Sequence, residues 1–167
     1  MKTELKAKFL QHLTNKRKDE GFTLIELLVV IIIIGILSAI ALPSFLNQAA
    51  KARGAEAKSN VGAMNRAQQA YFLEQQTFTT TVDQLGLSFP VGTENFTYTA
   101  SGGALGQSVV NSGQSGKPDI KSYGGGVFYT TGSTSTILCE ANNPGTAAVS
   151  GIASTGTGCG SNAKQVK

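Results

Sequence analysis

Residues 27–50 carry no charged side chain, and residues 24–42 carry one, Glu26. An apolar run of that length can cross a bilayer as a single helix. The pattern then changes. Ala57, Val61, Met64, Ala67 and Tyr71 recur at steps of four and three, one face of a helix, while Lys51, Lys58, Arg66, Gln69 and Glu74 fall largely elsewhere. Joined, the two patterns predict one helix over residues 22 to about 75, ~80 Å long. It is expected to be apolar all round in its first half and amphipathic in its second. Pro43 removes one backbone hydrogen bond, so a local kink or loosening is expected there, and Gly54 and Gly62 weaken the helix further. The threonine-rich segment after Gln76 marks its end.

Residues 80–85 read as a short helical turn closed by Gly86. Beyond it the period falls to two. Phe96, Tyr98 and Ala100 alternate with Thr97 and Thr99, and residues 126–131 and 134–140 are rich in β-branched and aromatic side chains. Thr131-Gly132-Ser133 reads as a hairpin turn, and residues 147–152 are a weaker strand candidate. Residues 101–126 read as a long glycine-rich loop with little core. The expected fold class is α+β: a long N-terminal helix, its apolar half protruding, packed through its amphipathic half on a small antiparallel sheet.

Composition narrows the function. The net charge is +4, but residues 1–20 hold six basic and three acidic residues, so the basic balance belongs mostly to the N-terminus. Residues 101–167 contain 31 Gly, Ser or Thr among 67 positions, too few apolar side chains for a dense core of their own. The single His is His12, so no His-based triad or His metal site can form after residue 20. Two Cys are too few for a four-thiolate zinc site, the carboxylates are dispersed, and no phosphate-binding glycine loop is present. An enzyme is not expected, nor a cofactor. Lys117, Lys121, Lys164 and Lys167 are weak candidates for DNA phosphate contacts and read more simply as solvated lysines. Asp119 and Glu140 have the chemistry for calcium but no EF-hand spacing, and Asn95-Phe96-Thr97 is a short sequon at a strand start.

Lys16, Arg17 and Lys18 precede the apolar run, which places residues 1–20 inside and residues after about 50 outside. Two Cys in an exported domain point to a disulfide; the other reading is two unlinked thiols. Cys139 and Cys159 enclose nineteen residues poor in apolar side chains, which a bond would pin. Two readings of the N-terminal segment follow from its pattern: a simple membrane anchor, or a secretory signal cut after Ala39-Ile40-Ala41. Against the secretory signal stand a long basic region, Glu26 at the head of the apolar run and Pro43 just after the cut.

Gly21-Phe22-Thr23-Leu24-Ile25-Glu26, followed by Leu27-Leu28-Val29-Val30, resembles the signature of the type IV prepilins. The specific resemblance spans residues 16–47. It implies that a prepilin peptidase cuts after Gly21, that the new N-terminal Phe22 is methylated, and that the apolar segment stays on the mature chain. Gly35 and Pro43 fall where the family's N-terminal helix carries a Gly and a Pro, and a disulfide-bounded C-terminal loop is similar to that of many pilins. The twenty-one-residue leader is similar to the longer leaders of some cyanobacterial pilins. The implied organisation is residues 1–21 as a cytoplasmic leader that is removed, 22–46 as a transmembrane or filament-core half-helix, and 47–167 as the head.

Glu26 has a physical claim of its own. An ionisable residue within a membrane span is costly unless paired, and cutting at Gly21 creates an α-amine four residues before it, a partner in the same chain or in a neighbour; the plainer reading is a Glu snorkelling to the headgroups near the helix end. The resemblance implies a homo-oligomeric helical filament held through Phe22, Glu26, Gly35 and Pro43. Its implied partners are the prepilin peptidase, an inner-membrane assembly platform and membrane lipid before assembly. The expected locations are the inner membrane with the head in the periplasm, then a cell-surface pilus. The implied roles are adhesion, twitching motility and DNA uptake. The alternatives are a pseudopilin of a type II secretion system and a signal-anchored surface binding domain that never polymerises.

Overall fold

The structure is a computed structural model and describes Glu4, Lys8 and residues 21–102, 106–152 and 158–166. Most of the expected leader, and Lys167, lie outside the described residues. The chain divides into two compact units, Met1–Phe45 and Leu46–Lys167.

In the first unit the helix α1 begins; its full extent is Leu24–Gln75. It starts where the apolar run starts and continues as α-helix through Gly35 and Pro43. Every residue from 21 to 48 is exposed. With hydrophobic side chains on all faces, this stretch offers no amphipathic seam to fold against.

The second unit holds the rest of α1, a 3-10 helix at Val82–Leu85, and five strands: β1 Phe96–Gly102, β2 Ser108–Ser115, β3 Tyr123–Thr130, β4 Ser133–Ala141 and β5 Ala163–Gln165. The strands pair in the order β1-β2-β3-β4-β5, antiparallel throughout. The expected turn at 131–133 joins β3 to β4: Thr130 pairs with Ser133, and Thr131 and Gly132 both take positive φ, as a two-residue hairpin requires. Gly86 closes the 3-10 helix in the left-handed conformation. The helix α1 ends where Gln76 turns left-handed and the Gln68 side chain takes over the next backbone groups, donating to Thr79 O at 2.6 Å and accepting from Thr79 N at 3.2 Å.

Three expectations change. Residues 101–126 are not a loop, because β2 and the first residues of β3 lie there, at the middle of the sheet. Residues 147–152 form no strand; the last strand is the short β5 beyond Cys159. The buried helix face carries Ala57, Val61 and Met64 as expected but continues through Asn65, Gln68 and Phe72, leaving Ala67 and Tyr71 half-buried.

The sheet lies between two layers. On one face Ala57, Val61 and Met64 of α1 pack with Phe96, Tyr98, Ile120 and Tyr123. On the other, Val149 and Ile152 of the segment after β4 pack over Phe128, Ile137, Cys139 and Ala141. Gly124, Gly125 and Gly126 make both approaches possible. A Cβ at Gly125 would run into the Asn65 amide and stand 2.8 Å from Val61 Cγ1, and one at Gly124 would stand 2.9 Å from Val149 and Ile152. Side chains alternate along a strand, so this triplet serves both faces in turn.

Candidate functional site

The N-terminal start of α1 is built by its own residues. Thr23 O accepts the helical bond from Leu27 N at 3.2 Å, and Thr23 Oγ1 accepts from Glu26 N at 3.3 Å. In return Glu26 Oε2 accepts from Thr23 N at 3.1 Å and from Thr23 Oγ1 at 2.8 Å. This is a reciprocal capping box, which satisfies backbone donors that a helix start leaves open. Sequence reasoning singles out Glu26 for a partner amine at Phe22 and passes over Thr23. The readable signal was the Thr-x-x-Glu spacing immediately before an apolar run.

Gly21 and Phe22 precede the helix in exposed, non-helical backbone. From Phe22 to Leu46 the large apolar side chains are exposed by 45% at Leu28 to 87% at Phe22, so none of them is buried among the described residues. A Cβ at Gly35 would meet no other atom, and Pro43 lies on the same exposed stretch. Among the described residues this stretch is a long exposed apolar surface.

In the second unit Cys139 and Cys159 are joined, with Cα atoms 5.8 Å apart. The bond ties β4 to the segment that covers it and brings β5 into register with Cys139, Glu140 and Ala141.

Several of the dispersed charges are paired with one another. Asp119 meets Arg53 at 3.5 Å, Lys117 meets Glu94 at 3.7 Å, and Glu140 Oε1 takes Lys121 at 2.9 Å and Lys164 at 3.8 Å. Asp119 and Glu140 therefore face cations of the protein itself, and among the described residues no group of three His, Cys, Asp or Glu side chains comes together. Tyr123 lies beside Glu140. Burial, and then the carboxylate's charge, push its hydroxyl up to about 12. Tyr98 is raised chiefly by burial, against the 2.9 Å hydrogen bond that it accepts from Asn60.

A helix whose first half is apolar and exposed, continued by an amphipathic half on a small sheet, defines a pilin-type subunit. Residues 54–162 match the type IV pilin-like G and H family, and residues 16–42 match the prokaryotic N-terminal methylation motif. The chain belongs to the type IV pilin-like G and H family and is a pilin-fold structural subunit, not an enzyme. It is 41% identical over 71 residues to the type IV major pilin protein PilA of Myxococcus xanthus, covering 42% of this chain and 32% of that one. It is 38% identical over 66 residues to the type II secretion system core protein G of Aeromonas hydrophila, covering 40% and 46%. It is 34% identical over 76 residues to a fimbrial protein of Pseudomonas aeruginosa, covering 46% and 49%. The matched stretch spans from about a third to a half of the length of these curated relatives. No solved structure matches the chain.

Proposed function

We propose that this chain is the subunit of a type IV pilus filament, made as a membrane-held precursor and polymerised through residues 22–46. The observation that carries the reading is the exposed apolar stretch of α1, most of which lies within the matched methylation motif. In this reading a prepilin peptidase cuts after Gly21 and Phe22 receives the methyl group. Lipid covers residues 22–46 before assembly, and neighbouring helices cover them in the filament. Glu26 fixes the axial register of an incoming subunit against the Phe22 amine of another, and Gly35 and Pro43 shape the helix contacts. The head, residues 47–167, faces the periplasm before assembly and the cell exterior after it. Adhesion, twitching motility and DNA uptake are the roles proposed for the filament.

A second reading has its own support: several relatives are core protein G of type II secretion systems. A pseudopilin builds a short filament that stays within the envelope. Mass spectrometry of sheared surface filaments separates the two. The pilus reading expects long filaments containing a chain that begins at a methylated Phe22. Processed chain confined to the membrane fraction of a secretion-competent cell supports the pseudopilin, and a mature chain beginning at Leu42 refutes both.

A further inference from the structure

Within the second unit, α1 and the adjoining ends of the strands enclose a cleft of about 680 Å³. From α1 it is lined by Lys51, Gly54, Ala55 and Lys58, positions spaced by three, four and seven along one face of the helix. Opposite them stand Lys121, Tyr123 at the start of β3, Glu140 of β4 and Lys164 of β5. Gly54 sets the width, since a Cβ there would stand 3.0 Å from the Tyr123 hydroxyl. Four lysines line the cleft against two carboxylates, Asp119 and Glu140. Both carboxylates are engaged: Asp119 by Arg53, and Glu140 by two ammonium groups on the same oxygen. By count alone, four lysines against two carboxylates, the lining carries a formal surplus of positive charge. Tyr123, pushed up to about 12, holds its proton across the physiological range.

The position of the cleft along the chain says what anion it would meet. Its lining begins at Asn47 and Ala50, the end of the uncharged run, and Lys51 is the next residue on the same continuous helix. Lys51, Arg53 and Lys58 crowd the exported flank, the side on which basic residues are not favoured by the positive-inside rule. A helix leaving the hydrocarbon meets lipid phosphates at this depth, and basic clusters beside a span recognise anionic headgroups. The basic groups converge on one cleft rather than forming a stripe, which suits a single headgroup better than a nucleic-acid backbone.

We propose that this cleft holds the phosphate of an anionic phospholipid while the subunit resides in the membrane. The lipid seats the head against the bilayer surface and is left behind on assembly. This rests on the membrane-held precursor proposed above.

The test uses the full chain, incorporated into bilayer discs and, in detergent, titrated with phosphatidylglycerol or phosphatidylcholine under native mass spectrometry. The wild-type chain is expected to retain phosphatidylglycerol about tenfold or more tightly than phosphatidylcholine. The Lys51→Gln/Lys164→Gln pair is expected to weaken the anionic lipid by about 25-fold, since each lysine near the membrane surface is worth roughly fivefold. The Lys51→Arg/Lys164→Arg pair should keep the preference, as should the charge-matched Arg66→Gln/Lys117→Gln pair outside the cleft. Incorporation without any preference, or equal loss in both Gln pairs, overturns the inference and leaves the membrane reading intact. Displacement of the lipid by inorganic phosphate at equal affinity, or by a short DNA duplex in wild type but not in the cleft variant, assigns the cleft to those ligands instead. Failure to enter bilayers of either composition overturns the membrane-held state itself.

Discussion

At Gly125 the absent side chain decides how close a helix can come to a sheet. The Asn65 amide and Val61 occupy the place of its Cβ. Asn65 uses that closeness to donate to Ile137 O of β4 at 3.0 Å and to accept from Asn111 of β2 at 2.9 Å. Gly125→Ala forces these groups apart, and the overpacking with one buried hydrogen bond lost should cost about 3 kcal/mol. A thermal melt of the detergent-held chain should show Tm lowered by ~10 °C. An unchanged Tm would contradict the close packing. Tyr123 carries a pH prediction. Its hydroxyl ionises near 10.0 when unfolded and is pushed up to about 12 by burial and Glu140. The folded state thus keeps its full stability below about pH 10 and loses it as the pH rises towards 12, because the unfolded chain ionises first. Tyr123→Phe should flatten that loss in melts across the same window; Tyr98, raised mainly by burial, adds a smaller effect of the same sign. Neither Asn65 nor Gln68 is legible as core, because a reading by polarity assigns amides to the solvent face. Their burial depends on backbone carbonyls outside the helix, at Ile137 for Asn65 and at Thr79 for Gln68.

Among the elements, α1 is legible almost to the residue, since a long uncharged run and a 3.6-residue period specify a helix without outside help. The hairpin β3–β4 is legible from its turn and its β-branched residues. The strand β2, Ser-Val-Val-Asn-Ser-Gly-Gln-Ser, is not. Its inward face is Val109, Asn111, Gly113 and Ser115, and small or polar side chains there fit beneath α1, where Val61 already fills the space over Gly113. The same holds for the cover after β4, whose order comes from the disulfide and from Val149 and Ile152 rather than from local propensity. Replacing Cys139 and Cys159 by Ser opens a loop with a sequence separation of 20. The chain-entropy model sets the loss at about 3 kcal/mol. Hydrogen exchange should rise first in residues 142–152 and in β5, with α1 and β1 protected longest. Uniform loss of protection would mean that the bond holds the whole head rather than one layer.

For the whole molecule the informative residue is Glu26. In the uncut chain it is bonded to Thr23. Cutting after Gly21 leaves that threonine in place and adds an amine one residue before it. Glu26→Leu should therefore still be processed and kept in the membrane, since Leu inserts at least as easily as Glu. It should be scarce in filaments, because smooth apolar contacts alone set axial register poorly. Membrane fraction and sheared filaments, probed side by side, decide this. Normal amounts in filaments remove the register role, and loss from the membrane with normal assembly of survivors points to a same-chain pair. The family was legible in the sequence because the motif is contiguous. The head was less so, because its order is distributed among glycines, amides and a cysteine pair.

The glycine triplet also has an evolutionary consequence. Gly125 answers to Val61 and Asn65, whereas Gly124 and Gly126 answer to Val149, Ile152 and Phe128. The two sets sit on opposite faces, and the atoms nearest each belong to different residues. Among descendants of this chain, a larger residue at 125 should arrive with a smaller one at 61 or 65, and a larger residue at 124 with a smaller one at 149 or 152. Three adjacent positions that look like one flexible stretch would then carry two independent histories, one written with the helix and the other with the disulfide-tied cover.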